Sequence, residues 1–133
     1  MTPWLRLPIR LVAFLWASPN TCLGIALGLV LGGKFSVVDG VIEIHGNGVT
    51  GLLRRMWIPA AAMTLGHAVL GQSAECLRRT RAHERVHVRQ YERWGPLFIP
   101  AYLIASAVLF AVGKDGYYAN PFEVEAYRED RSA

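Results

Sequence analysis

Residues 83–87 have the order H-E-x-x-H, which combines two metal-binding side chains with a carboxylate. His83 and His87 are four residues apart, so on a helix both imidazoles point the same way and can bind one metal ion from one side. Glu84 projects about 100° round the helix from His83, where its carboxylate can take a proton from a water molecule at the metal. The pattern predicts metal-dependent hydrolysis, although a basic helix can also contain it by chance.

Two histidines are too few for such a site, because a catalytic zinc normally has three protein ligands and keeps one position for water. The acidic cluster of Glu123, Glu125 and Glu129 is the best source of the third ligand, since His45 and His67 form no further close motif with the pair. Glu123 and Glu125 are two residues apart, so on a helix they point in nearly opposite directions and only one can face the metal. From the residues alone, either Glu123 or Glu125 could be the third ligand.

Three short segments belong together in this interpretation: MTLGHAVLG at 63–71, HERVHVRQYERWG at 83–95 and NPFEVEAY at 120–127. They resemble the gluzincin group of zinc metallopeptidases, which pairs H-E-x-x-H with a downstream glutamate. The segments look especially like small bacterial, membrane-associated members with the form H-E-x-x-H-x-x-Q-Y and a terminal N-P-x-E-x-x-A helix. The resemblance covers roughly residues 61–127, about half of the chain, and leaves the first third unmatched.

The resemblance implies a ligand set, a cofactor and a reaction. Glu123 stands three residues before Ala126, as the ligand glutamate of membrane-embedded relatives does, so His83, His87 and Glu123 would bind one Zn²⁺ per chain. Glu84 would be the catalytic general base. The implied protein is an enzyme, a membrane-associated zinc metallopeptidase that hydrolyses a peptide or protein substrate with a zinc-activated water.

The chain departs from these relatives at Tyr127, where they carry an aspartate that supports a histidine ligand. Asn120, Gln90 or a backbone carbonyl could orient the imidazoles instead. In such families a strand edge beside the active helix pairs with the substrate backbone, and Gly66 in MTLGHAVLG would allow close approach. The hydrogen-bond donor that stabilises the developing oxyanion could be His67, Tyr117, Tyr118 or Tyr127.

The first third of the chain is strongly apolar. Residues 11–33 are long enough to cross a bilayer but are interrupted by Ser18, Pro19 and Asn20, which predicts one kinked span or two short helices. We therefore predict a hydrophobic membrane-anchor segment at 1–34 and a zincin-like metallopeptidase domain at 35–133.

The middle of the chain predicts a small sheet. The segment VIEIH alternates between apolar and polar residues, as a half-buried strand does. GNG at 46–48 indicates a turn, and VTGLL could pair back as the second strand of a hairpin. Residues 61–70 are predicted as one extended strand. The predicted fold class is α+β and zincin-like, with a small antiparallel sheet packed on the H-E-x-x-H helix, an N-terminal hydrophobic segment and a second apolar helix.

The active helix is predicted from about Thr80 to Trp94, with its arginines facing solvent or lipid headgroups, and Gly95 and Pro96 end it. An apolar helix follows at 96–112. If that helix crossed the membrane alone, Glu123 would lie on the opposite side from the histidines, so we predict that it packs on the sheet or is partly immersed. A short acidic helix should begin at about Pro121, which suits a first helical position.

Composition indicates where the protein acts and with what. The hydrophobic fraction of 53% and net charge of +4 favour contact with membrane lipid, and no recognition motif supports a nucleic-acid partner. Arginines are denser after the first apolar segment than before it, which predicts that the site faces the cytoplasm. The resemblance to small bacterial members implies that the membrane is a bacterial inner membrane. The alternative function is a non-catalytic, zinc-containing membrane protein that binds a peptide or partner at its strand edge.

Overall fold

The computed structural model describes residues 3–56 and 58–132 of the chain. The elements follow one another as α1 (Pro3–Val30), β1 (Lys34–Val38), β2 (Val41–His45), α2 (Asn47–Arg55), β3 (Ala62–Leu65), β4 (Ala68–Gly71), α3 (Ala74–Trp94), a short 3₁₀ turn (Gly95–Leu97), α4 (Phe98–Ala111) and α5 (Pro121–Ser132). The α+β class predicted from the sequence is confirmed.

The four strands form one mixed sheet in the order β1-β2-β4-β3, which leaves β3 at an edge. The β1–β2 and β3–β4 pairs are antiparallel, but β2 and β4 run parallel, so the prediction of an antiparallel sheet is wrong for the central pair. The reason lies in the segment VTGLL, which belongs to α2 and does not pair back as a strand. Val49 and Leu53 are one helical turn apart and both are buried, so burial follows the helical period.

Residues 61–70 form a hairpin, and the prediction of one extended strand is wrong. The chain reverses between Leu65 and Ala68, where Gly66 has a φ of 64° that favours glycine. A Cβ at Gly66 would lie 2.6 Å from the backbone nitrogen of Thr21 and 2.8 Å from the carbonyl oxygen of Ala17. The close approach that this glycine permits is therefore to α1, and not to a substrate.

The helix α3 begins six residues before the predicted start at Thr80. Ser73 caps it, since its hydroxyl accepts a hydrogen bond from the backbone N–H of Cys76 at 3.1 Å. The predicted end is confirmed at Gly95, which has a φ of 56° and donates its backbone N–H to the carbonyl of Tyr91. The longer helix packs against β3, β4 and β2 and presents His83 and His87 from its middle.

Arg81 and Arg85 do not simply face solvent or headgroups, contrary to the prediction. Both guanidinium groups bind Glu43 of β2, at 2.9 Å and 3.2 Å, and only 2% of Glu43 is exposed. Burial raises the pKa of Glu43, but the hydrogen bonds and charges of the two arginines outweigh burial and lower it. These ion pairs attach α3 to the sheet on the side away from the candidate site.

The N-terminal apolar segment is one continuous helix, α1, which passes through Pro19 without a break. Ala17, Asn20 and Thr21 are buried against the rest of the chain, and the Thr21 hydroxyl accepts the backbone N–H of His67 at 2.8 Å. Most other apolar side chains of α1 are exposed. By length and composition, Trp4–Val30 and Ala74–Ala111 could each cross a membrane; the charge-free part of the second is 94–111.

The helix α4 and the residues after it run outward and back. The Ser106 hydroxyl donates to the carbonyl of Gly116 at 2.7 Å, and the Asn120 side-chain amide donates to the carbonyl of Tyr102 at 3.1 Å. Asn120 also accepts the backbone N–H of Phe122, which caps α5 at the predicted start. The return path brings the first turn of α5 back to α3.

Replacing Gly66 by alanine tests whether α1 packs on the β3–β4 turn. Alanine at a positive φ costs about 1 kcal/mol of folding free energy, and the contact with the α1 backbone should add roughly 2 kcal/mol. Gly113→Ala is the matched control, because Gly113 has a φ of 77° with no atom within 4 Å of its added Cβ. Equal losses of stability in thermal unfolding of the two detergent-solubilised variants would contradict this packing.

Candidate metal centre

The structure brings His83, His87 and Glu123 together in one buried cluster. The Nε2 atoms of His83 and His87 lie 3.0 Å and 2.8 Å from the same carboxylate oxygen, Oε1 of Glu123. The two Nε2 atoms are 3.3 Å apart, and all three residues are buried. Within the described ranges, these residues form a group that could hold a metal ion, with ligand atoms within 4.8 Å of one another.

Gln90 fixes the tautomer of His87. The side-chain amide nitrogen of Gln90 donates to the carbonyl of Phe122 at 3.0 Å and to the carboxylate of Glu125 at 3.1 Å, which are both acceptors only. The amide oxygen of Gln90 must therefore be the atom that lies 2.7 Å from Nδ1 of His87, and it accepts the Nδ1–H. In the neutral ring this leaves Nε2 unprotonated, with its lone pair directed at Glu123.

A lone pair on Nε2 and a carboxylate oxygen repel each other at 2.8 Å unless a positive charge lies between them. Burial raises the pKa of Glu123, but hydrogen bonds that His83 and His87 donate when their Nε2 atoms carry protons outweigh burial and lower it to about 2. Glu123 is therefore a carboxylate at neutral pH. The cluster demands a cation, either a proton on an imidazole or a metal ion that all three ligands share.

Tyr102 of α4 holds the other oxygen of Glu123, because its hydroxyl donates to Oε2 at 2.8 Å. This leaves Oε1 directed at the histidines. Sequence reasoning missed Tyr102, although a signal was present: Phe98, Tyr102 and Ser106 lie on one stripe of an otherwise apolar helix, and two of them carry hydroxyls. A hydroxyl repeated at helical spacing in an apolar segment indicates a polar partner.

Glu84 is buried beside the cluster and is held by Thr64 of the edge strand β3. The Thr64 hydroxyl donates to Oε2 of Glu84 at 2.6 Å, and the hydroxyl of Tyr91 donates to the carbonyl of Thr64 at 2.9 Å. Burial raises the pKa of Glu84 above its ordinary value, which strengthens the carboxylate as a base. Thr64 and Tyr91 were not identified from the sequence, because nothing local links them to Glu84.

The other candidates from the sequence lie outside the cluster. Glu125, the alternative third ligand, contacts Gln90 and the Arg93 guanidinium at 2.7 Å. His67 contacts Glu92 through Nε2 at 2.9 Å and stacks on Phe14 of α1, so it is not placed to stabilise an oxyanion at the cluster. Glu123, and not Glu125, therefore lies in the cluster with the two histidines.

Tyr127 stands at the position where the resemblance leads to an aspartate that supports a histidine, but it does not give that support. Its ring packs on His83 with centroids 4.3 Å apart, and Nδ1 of His83 has no hydrogen-bond partner among the described residues. Tyr127 also shares a hydrogen bond between hydroxyls with Tyr117 at 2.9 Å. Gln90 orients His87, whereas the ring of Tyr127 positions His83 by contact.

Two cavities meet at Glu84. The first, about 550 Å³, lies between β3 and α4 and includes His87 and Glu123 in its wall. The second, about 520 Å³, includes His83 and the phenols of Tyr117 and Tyr127. The cluster is thus reached from two sides, and Glu84 borders both.

Comparison of the chain with protein-family models, curated proteins and solved structures finds no match. The assignment of a function therefore depends on the residues and the geometry of this chain.

Metal content distinguishes Glu123 from Glu125. We expect about one metal ion per wild-type chain, lost in Glu123→Ala because two imidazoles alone bind weakly, and retained in Glu125→Ala. Elemental analysis of purified protein, after loosely bound ions have been removed, measures both variants. Retention by Glu123→Ala would contradict the three-ligand cluster.

Because Gln90 fixes the tautomer of His87, we predict that it contributes to metal affinity. Gln90→Leu removes the acceptor for Nδ1–H of His87 and should weaken metal binding roughly 10- to 100-fold. Gln72→Leu is a suitable control, because Gln72 donates to the Ala60 carbonyl and does not contact the cluster. Competition with a chromogenic chelator gives both affinities; equal affinities in the two variants would refute the role of Gln90.

Proposed function

We propose that the protein is a membrane-associated zinc metallopeptidase with a zincin-like, gluzincin-type catalytic domain. The observation that carries the proposal is the convergence of two imidazole Nε2 atoms and one carboxylate oxygen beside the buried Glu84. A structural zinc site usually has four protein ligands, whereas three ligands leave a position for water or substrate. Two cavities that meet at Glu84 supply access to that position.

The donor set fits zinc. Imidazole nitrogen and carboxylate oxygen are ordinary zinc ligands, and Gln90 supports His87 as an outer partner of a metal-bound histidine does. When bound, zinc supplies Lewis-acid polarisation of a peptide carbonyl and lowers the pKa of a water molecule.

The residues of the chain would carry the proton. Glu84 accepts a proton from the attacking water and delivers it to the leaving amine as the peptide bond breaks. Thr64 keeps the carboxylate of Glu84 in place through its 2.6 Å hydrogen bond. The edge strand β3, to which Thr64 belongs, offers backbone groups to an extended substrate, so that binding tolerates varied sequences.

Membrane association rests on the apolar surface of α1 and α4. Trp4, Leu15 and Val30 expose more than two thirds of their surface along α1, a pattern typical of a helix in contact with lipid. We propose that α1 is inserted in a bacterial inner membrane and that α4 lies at its surface. The dense arginines of α3 favour the cytoplasmic side.

Replacing Glu84 by glutamine tests the reaction. We expect Glu84→Gln to retain one zinc and lose at least about 100-fold in the rate of peptide hydrolysis, because the amide cannot accept the proton. Glu75→Gln, an exposed position on the same helix, should leave the rate unchanged. The assay follows cleavage of a fluorogenic peptide library by protein in nanodiscs.

Hydrolysis by Glu84→Gln at the wild-type rate would refute the role of Glu84. A wild-type protein that binds zinc and peptides but cleaves none would favour the non-catalytic alternative. A wild-type protein without stoichiometric zinc would leave H-E-x-x-H as a chance pattern.

A further inference from the structure

The two cavities on either side of Glu84 differ in chemistry. The cavity beside His87 is almost entirely apolar, with walls that include Leu65, Ile99, Leu103 and Phe110. The cavity beside His83 has a charged wall, and its charged residues other than Glu84 are Arg79, Asp115 and Asp130. A ligand that fills both cavities must therefore be apolar at one end and polar at the other.

The segment before β3 and the strand itself connect the two cavities. Ile58, Ala60 and Ala62 line both of them, as do Phe110 of α4 and Tyr117 of the segment that follows it. A peptide paired with the edge of β3 would run past Glu84, and extended residues advance about 3.3 Å each. Residues on opposite sides of the reacting bond would therefore enter different cavities.

The helix α4 lies between the apolar cavity and an apolar outer surface. Leu103 and Ala107 line the cavity, while Ile104 and Val108 are 64% and 56% exposed and do not line it. A wall one helix thick therefore separates the cavity from the surface that we propose lies at the membrane. An apolar stretch at the bilayer surface is therefore only the width of one helix from the cavity, which keeps its path through water short.

The charged cavity favours one sign of ligand. Asp115 and Asp130 contribute two carboxylates against the single guanidinium of Arg79, so the wall is acidic. A basic side chain on the polar half of a peptide would gain from this wall, and an acidic one would lose.

We propose that the cleft binds the junction of a membrane protein at which an apolar stretch gives way to a basic, polar stretch. The apolar half occupies the cavity between β3 and α4, the basic half occupies the cavity lined by Asp115 and Asp130, and the bond between them lies at Glu84. This inference rests on the proposed function and deepens it, because it names the substrate class.

Binding to the Glu84→Gln variant tests the inference separately from hydrolysis. The variant is kept as the full chain in nanodiscs with zinc, and dissociation constants of fluorescent peptides are corrected for binding to empty nanodiscs. The peptides have an apolar–lysine, an apolar–glutamate, an all-polar lysine or an all-apolar composition, each in both chain directions. We expect the apolar–lysine peptide, in one direction, to bind about tenfold more tightly than the all-polar peptide.

Three substitutions locate the halves of the peptide. Ala107→Trp fills the apolar cavity and should remove the roughly tenfold preference, whereas Val108→Trp adds the same bulk to the outer surface and should preserve it. Asp130→Asn should reduce a preference of roughly threefold for lysine over glutamate. Zinc content is measured for every variant, and retained zinc shows that the site has folded.

Equal binding of the junction and all-polar peptides, or a preference that survives in Ala107→Trp, would overturn the inference. Phospholipid that copurifies with Glu84→Gln and is lost in Ala107→Trp, without a peptide preference, would overturn it in favour of a lipid acyl chain. The predicted binding pattern together with a wild-type protein that cleaves no peptide would uphold the junction site and refute the proposed hydrolysis.

Discussion

Three electron-rich atoms lie close together in the protein interior, and the surrounding structure must hold them there against their mutual repulsion. Two imidazole Nε2 atoms and Oε1 of Glu123 lie within about one hydrogen-bond length of one another, so a cation must offset their repulsion. The surrounding contacts all limit how these atoms can relax: Gln90 holds His87, and Tyr102 holds the far oxygen of Glu123. A cluster without such support would turn its ligands away from each other.

The support extends to the sheet, because α3 is attached to it on two sides. The buried Glu43 pairs with two arginines of α3, and an ion pair with one partner removed would leave an uncompensated buried charge. On the opposite side, Tyr91 and Glu84 bind the carbonyl and hydroxyl of Thr64 in β3. The helix α3 and the edge strand therefore form one rigid unit, which keeps Glu84 in register with His83 and His87.

Local signals account for the parts of the fold and site that the sequence predicted. The four-residue spacing of His83 and His87, the end of α3 at Gly95 and the start of α5 at Pro121 depend on neighbours within one helical turn. The hairpin was missed because the alternation of residues 61–70 continues through the turn, where Gly66 suits a strand bulge as well as a reversal. Thr64, Tyr102 and the pairing of Glu43 depend on contacts between distant residues, which local patterns do not encode.

The chain path couples the metal ligands to the cleft. His87 and Glu123 are 36 residues apart, and the intervening chain contains α4 and its return, which form the wall of the apolar cavity. An ion bound at both residues would close this loop and offset part of the entropy lost on ordering it. The placement of α4 beside β3, and with it the shape of the apolar cavity, should therefore depend on whether such an ion is bound.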